Sequence, residues 1–218
     1  MSISRVSTSS SDQQANGESY FPTISANGQF IAFQSQASNL VSGDTNGAID
    51  IFVKNLNTGL VTLASTTASG VLANNASYFP SISGNGRLVV FQGLGSNLVA
   101  GDTNGQSDIF VKDLQTGALT RVSTTSSGGQ AQGMSHSADI SDNGSTVAFI
   151  SSASNLVAGI PMVSRMSSSK TWRPARLFAP APRTQVRRPT ERAIIISVRA
   201  HPFRVTELPW RSPVAPAT

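Results

Sequence analysis

Short apolar runs separated by polar, glycine-bearing turns fill the chain from Met1 to Gly159. Gln29 to Phe33, Arg87 to Phe91 and Ser145 to Phe149 end in IAF, VVF and VAF and read as strands. DIFVKNL and DIFVKDL alternate Ile and Val with Phe and Lys, the period of two that puts successive side chains on opposite sheet faces. NTG and QTG then turn the chain into LVTLAST and ALTRVST, a fourth strand. ISxNG sets an Asn-Gly pair between apolar runs, a strong local signal for a tight hairpin, because Gly tolerates the positive φ that primed turns require. No segment carries a helical period.

The pattern repeats. SYFPTISANGQFIAFQSQASNLVSGDTNG, from Ser19, aligns without gaps on SYFPSISGNGRLVVFQGLGSNLVAGDTNG, from Ser77, and then on SHSADISDNGSTVAFISSASNLVAG, from Ser135, so the period from unit to unit is constant. Phe33, Phe91 and Phe149 share one register, as do Asn39, Asn97 and Asn155. The units fall near 4–62, 63–120 and 121–159. Four short strands per unit with regularly spaced turns predict a propeller blade, so the expected fold is all-β: an incomplete β-propeller of two full four-stranded blades plus a partial third.

In ISxNG, in the Ala/Val-Phe strand end and in DIFVKDL the chain resembles the TolB-type, or WD40-like, β-propeller repeat over residues 4 to 159. Asn27, Asn85 and Asn143 stand where many such repeats have Asp, and Ala138 replaces Pro22 and Pro80. The resemblance implies a periplasmic or extracellular bacterial protein. The N-terminus MSISRVSTSSS has no apolar signal region, and no apolar run approaches membrane-spanning length.

The third unit breaks after Gly159, where SNLVAG is followed by IPMVSRMSSSKTWRPARL instead of DTNG and DIFVKDL. Composition breaks there too. Residues 1–159 carry five basic and nine acidic residues, a net −4, whereas 160–218 carry eleven basic and two acidic, a net +9, with nine of the eleven prolines and both tryptophans. Restoring one nucleotide after the Gly159 codon permits DTNGVSDVFVKDLATG, with the Gly forced, and a Tyr in register with Tyr20 and Tyr78. The basic, proline-rich tail is therefore expected to be out-of-frame translation and disordered. Its arginines are then codon by-products and not a nucleic-acid or membrane-surface arm. No cysteine is present, which excludes disulfides and thiolate metal sites.

Candidate chemistry lies in two loops. Asp44, Asn46 and Asp50 in the first, and Asp102, Asn104 and Asp108 in the second, set carboxylate and amide oxygens at alternate positions before a Gly turn, as calcium loops do. The fifth position is Ala48 or Gln106, and no bidentate Glu follows. Calcium is thus a candidate cofactor beside a plainer reading, in which the aspartates form Asx-turns and hold loop to strand. His136 stands where the other units have Tyr20 and Tyr78 and reads as a packing substitute. Ser135 and Asp139 beside it do not form a triad, since neighbours on an extended chain point to opposite sides. No phosphate loop is present.

The expected function is that of a noncatalytic, protein-binding or surface module, with an accessory propeller portion of a larger secreted hydrolase or lyase as the alternative. Two and a half units cannot close a ring, which predicts self-association through open blade edges.

Overall fold

The computed structural model describes residues 3–157 and a strand at 195–199. Unit 1 is the antiparallel sheet β1 (Ser19–Ile24), β2 (Phe30–Ser35), β3 (Asp50–Asn55) and β4 (Val61–Leu63), in that spatial order. Unit 2 repeats it with β5 (Ser77–Ile82), β6 (Leu88–Gly93), β7 (Asp108–Asp113) and β8 (Leu119–Arg121). Unit 3 has β9 (Ser135–Ile140) and β10 (Thr146–Ser151). The described residues are all-β, and these meanders are propeller blades, the third partial.

The expected disordered tail lies outside the described residues, apart from β11 (Ile195–Arg199), which pairs antiparallel with β10. Its register is that of β3 on β2. Phe30 faces Asn55 and Gln34 faces Ile51, and correspondingly Thr146 faces Arg199 and Ile150 faces Ile195.

The ISxNG turn differs from the expected two-residue hairpin. Only Gly28, Gly86 and Gly144 take positive φ, at 68°, 75° and 71°. Gly28 N–H closes the turn on Ser25 O at 2.8 Å. The cause is the Ser25 hydroxyl, which accepts from Phe30 N–H at 3.0 Å and donates to Asn27 Oδ1 at 2.6 Å. It holds a longer loop open around a single left-handed Gly. Ser83 and Ser141 repeat the arrangement with Asn85 and Asn143. β2 also runs two residues past Phe33, because Gln34 and Ser35 still pair with Ile51 and Asp50.

Each of the two complete sheets is apolar on both faces. The trailing face of unit 1, Ala32, Ile51, Val53 and Ala64, is small or β-branched and receives the larger leading face of unit 2, Ile82, Val89, Phe91, Leu98 and Phe110. Phe91 and Phe110 stack with centroids 5.8 Å apart across the strands. Val90 and Ile109 likewise receive Ile140, Val147 and Phe149 of unit 3. On the leading face of unit 1, Phe33, Leu40 and Phe52 are covered by Val6 and Ala15 of the N-terminal segment and by Val61 and Leu63. Ile24 is not: it is 59% exposed, against 5% for Ile82 and 6% for Ile140 at the same repeat position.

The same asymmetry separates two otherwise equivalent glycines. A Cβ on Gly86 would lie 2.0 Å from the Phe30 ring, whereas one on Gly28 meets nothing within 4 Å. Both alanine variants suffer the left-handed backbone penalty of about 1–2 kcal/mol. Gly86→Ala is expected to lose about 1–3 kcal/mol more than Gly28→Ala through overpacking, read as the difference in urea unfolding free energy on dilute protein.

Candidate functional site

The two DTNG loops join β2 to β3 and β6 to β7. In the first, the fully buried Asp50 opens β3. It accepts hydrogen bonds from the Ser65 hydroxyl and, at 2.8 Å, from Asn46 Nδ2. The same Asn46 nitrogen donates to Ala73 O at 3.1 Å, and Asn46 Oδ1 accepts from Ala48 N–H at 2.9 Å. The second loop repeats the frame. Ser123 donates to Asp108 at 2.6 Å, Asn104 Nδ2 donates to Ala131 O at 2.8 Å, and Asn104 Oδ1 accepts from Gln106 N–H at 2.8 Å.

The loops differ in charge compensation. Arg121 Nη1 lies 3.4 Å from Asp108 Oδ2 and 3.7 Å from Asp102 Oδ1, and Gln130 Nε2 donates to Asp102 at 2.7 Å and to Asp108 at 3.3 Å. The corresponding residues of unit 1 are Leu63 and Leu72. Among the described residues Asp44 and Asp50 therefore face each other without a cation. Burial first, then the Asp50 charge, pushes the Asp44 carboxyl up to about 6. Burial also raises Asp50, against the hydrogen bonds from Ser65 and Asn46. In unit 2 burial raises Asp108, opposed by Ser123, Gln130 and Arg121.

The structure thus brings Asp44, Asn46 and Asp50 together, and likewise Asp102 and Asp108, while Asn104 turns to Ala131. In both loops the asparagine oxygen is held by the loop's own backbone, so a cation would meet two carboxylates at the first loop. Among the described residues no three His, Asp or Glu side chains gather into a metal-binding group.

Ser135, His136 and Asp139 are not joined. The Ser135 hydroxyl pairs with Ser151 at 3.0 Å, His136 Nδ1 with the Ser137 hydroxyl at 3.0 Å, and Asp139 accepts from Ser81 at 2.6 Å.

Sequence reasoning missed a second feature. On the first strand of each unit one extra residue interrupts the ladder, between Tyr20 and Thr23 and between Tyr78 and Ser81. There Phe21 and Phe79 take φ 51°, as Ser137 does at 53°, a region that is a genuine outlier for a bulky side chain. Pro22 and Pro80 tolerate the bulge because they have no N–H to leave unpaired. Phe79 N–H is held by the buried Gln34 Oε1 of unit 1 at 2.9 Å. The rings form a row: Tyr20 to Phe21 at 6.5 Å, Phe21 edge-on to Phe79 at 4.8 Å, and Phe79 to Tyr78 at 5.9 Å. Phe21 is 54% and Phe79 40% exposed. The signal was the repeated SYFP itself.

The sequence matches no protein-family model, and no curated protein is similar to it. Solved structures that resemble it include a TolB candidate from Agrobacterium tumefaciens, at 17% identity and TM-score 0.42, covering 62% of this chain and 38% of that one. TolB from Acinetobacter baumannii matches at 20% identity and TM-score 0.38, over 62% of this chain and 27% of that one. The β-propeller domain of the Trilobed protease from Pyrococcus furiosus matches at 14% identity and TM-score 0.38, over 62% and 34%. The chain spans less than two fifths of the length of each. At these scores the propeller assignment rests on this chain's own sheet order and repeat. Among the described residues no helix is long and apolar enough to cross a membrane.

The unpaired acids of unit 1 make stability depend on pH. A carboxyl raised from 3.8 to about 6 on folding binds its proton more tightly in the folded chain, so its contribution is fully present below about pH 4 and is lost as pH rises through about 6. Asp44→Asn is expected to remove that loss. The difference in unfolding midpoint between Asp44→Asn and wild type should grow from pH 4 to pH 8, and a flat difference would refute the assignment.

Proposed function

We propose that the repeat units form a noncatalytic propeller module that binds extended polypeptide along the row of aromatic rings on β1 and β5. The observation that carries this reading is the strained, exposed pair Phe21 and Phe79. Left-handed backbone at a non-glycine residue costs of order 1–3 kcal/mol and collects at ligand clamps. Here it recurs in successive units and presents rings to solvent. Aromatic rings give large contact area at low conformational cost, and no catalytic relay is assembled around them.

Peptides selected on wild-type protein from a random library are expected to lose at least about tenfold in affinity on Phe21→Ala with Phe79→Ala, since aromatic contacts dominate such interfaces. Equal binding to the double variant, or no enrichment, would sink the reading. A second variant separates binding from folding. Glycine adopts the left-handed backbone of Phe79 without strain, so Phe79→Gly is expected to hold or raise the melting temperature while losing the peptides. A fall of several degrees would make Phe79 structural.

A second reading concerns the first DTNG loop, where a hard cation would take the place that the Arg121 guanidinium fills in unit 2. Asp44 and Asp50 would supply the carboxylates, and the Asn46 amide would have to turn over. With so few charged ligands the dissociation constant is expected on the order of 0.1–1 mM. Millimolar calcium should raise the melting temperature of wild type and leave Leu63→Arg unchanged. No effect on wild type would assign all six DTNG residues to turn and strand anchoring.

A further inference from the structure

We propose that two copies of this chain close into one ring of six units, the leading face of unit 1 in each copy seating on the trailing face of unit 3 in the other. The occupant of that face is specified by the two equivalent boundaries inside the chain. At each, a leading face meets the trailing face of the unit before it. Ile82 and Ile140 are covered there, whereas Ile24 is left 59% exposed.

Polar contacts also cross the internal boundaries. At the ISxNG turns Asn27 N–H donates to Gly84 O at 3.0 Å and Gly84 N–H to Asp142 O at 2.8 Å, with donors one repeat position apart, whereas the next pair is strictly equivalent. Ser77 N–H donates to Ile49 O at 2.7 Å, and Ser135 N–H donates to Ser107 O at 2.9 Å. Ser19 and Ala26 hold the corresponding positions of unit 1 and have no unit before them. At the other end, Ala148 stands where Ala32 and Val90 stand, and β11 occupies on β10 the register that β3 and β7 hold on their neighbours. Among the described residues unit 3 therefore repeats the backbone pairing of the first three strands on its trailing side, without a fourth strand.

Count and symmetry select the stoichiometry. Propellers close with about four to eight blades. One chain has two full units and a partial third and falls short, and two chains bring four full and two partial units. A leading-to-trailing contact is heterologous, and such contacts end only when the rotation closes. A two-fold ring makes the contact twice and leaves no leading face open.

The full chain, 22.7 kDa, is expected to sediment as a dimer at micromolar concentrations. Ile24→Glu, a change at a position exposed within one copy, is expected to weaken dimerisation by about a hundredfold or more, because the carboxylate would be buried unpaired, with the far-ultraviolet circular dichroism unchanged. A position test uses the row of ISxNG turns. A Cβ built on Gly84 lies 3.2 Å from the Ala26 Cβ and 3.1 Å from the Asp142 Cβ, so in the ring Ala26 of one copy adjoins Asp142 of the other. The protein has no cysteine. Mixing Ala26→Cys chains with Asp142→Cys chains under mild oxidation should give a covalent dimer that neither variant gives alone. A monomer at about 100 µM, well above the dissociation constant of a specific contact, would overturn the proposal. So would a dimer indifferent to Ile24→Glu, an absence of the mixed disulfide, or polymers that lengthen with concentration.

Discussion

A buried carboxylate at the head of the third strand is the constraint from which each complete unit is built. Asp50 and Asp108 are fully buried, and an ionised carboxylate in that position loses several kcal/mol of hydration unless its oxygens are satisfied. The groups that satisfy it come from separate segments. Ser65 and Ser123 follow the fourth strand, and they also accept the N–H of Ile51 and Ile109 at 3.0 and 3.1 Å. Asn46 comes from the loop before the third strand and extends to Ala73, in the segment that leads into the first strand of unit 2. The desolvation cost therefore selects one arrangement of strand, return strand and next unit. A shifted register would strand the charge.

A lysine performs the same service at the other end of that strand. Lys54 Nζ donates to Thr8 O at 3.2 Å and Ser9 O at 3.3 Å, and Lys112 Nζ to Thr66 O at 3.2 Å and Thr67 O at 2.8 Å. Both side chains are buried, and burial lowers the Lys112 pKa. Each lysine ties its strand to the segment that enters its own unit. The strand DIFVKN/D thus carries an anion at one end and a cation at the other, each satisfied by loops distant in sequence, with an apolar centre packed on both sides.

Fold class and most strand positions were legible because they follow from local alternation and from the gap-free self-similarity of successive units. Turn geometry was less so: the Ser25 hydroxyl competes for backbone groups, and a motif that names only Asn and Gly omits it. The different fates of Ile24 and Ile82, identical in type and repeat position, depend on what lies across an interface and leave no local mark. The DTNG residues could be singled out in the sequence, but the charge compensation beside them could not, because Arg121 and Gln130 come from the fourth strand and the following loop. The substitutions Leu63 to Arg121 and Leu72 to Gln130 were visible in the repeat alignment and gain meaning only once both are seen beside Asp102. Phe21 and Phe79 read as ordinary strand residues, since neither period nor propensity reports a backbone dihedral.

Unit 3 shows how much of a blade the backbone ladder alone can maintain. An exposed strand edge offers unpaired N–H and C=O groups to any extended segment, and Ile195, Ile196 and Val198 are of the branched residue types that favour extension. Pairing of β11 on β10 therefore requires no kinship between that segment and DIFVKDL. The register makes the loss explicit: Val198 faces Val147 as Lys54 faces Ile31 and Lys112 faces Val89, and Arg199 faces Thr146 as Asp113 faces Leu88. The lysine tie is gone from that position, and with it one of the two charged groups that fix strand to loop in the complete units. Backbone hydrogen bonds are tolerant of sequence and indifferent to small slips, whereas a buried charge is neither. Among the described residues unit 3 is consequently the end whose register is least specified, and a neighbouring unit packed against β10 would add contact there in place of the lysine tie.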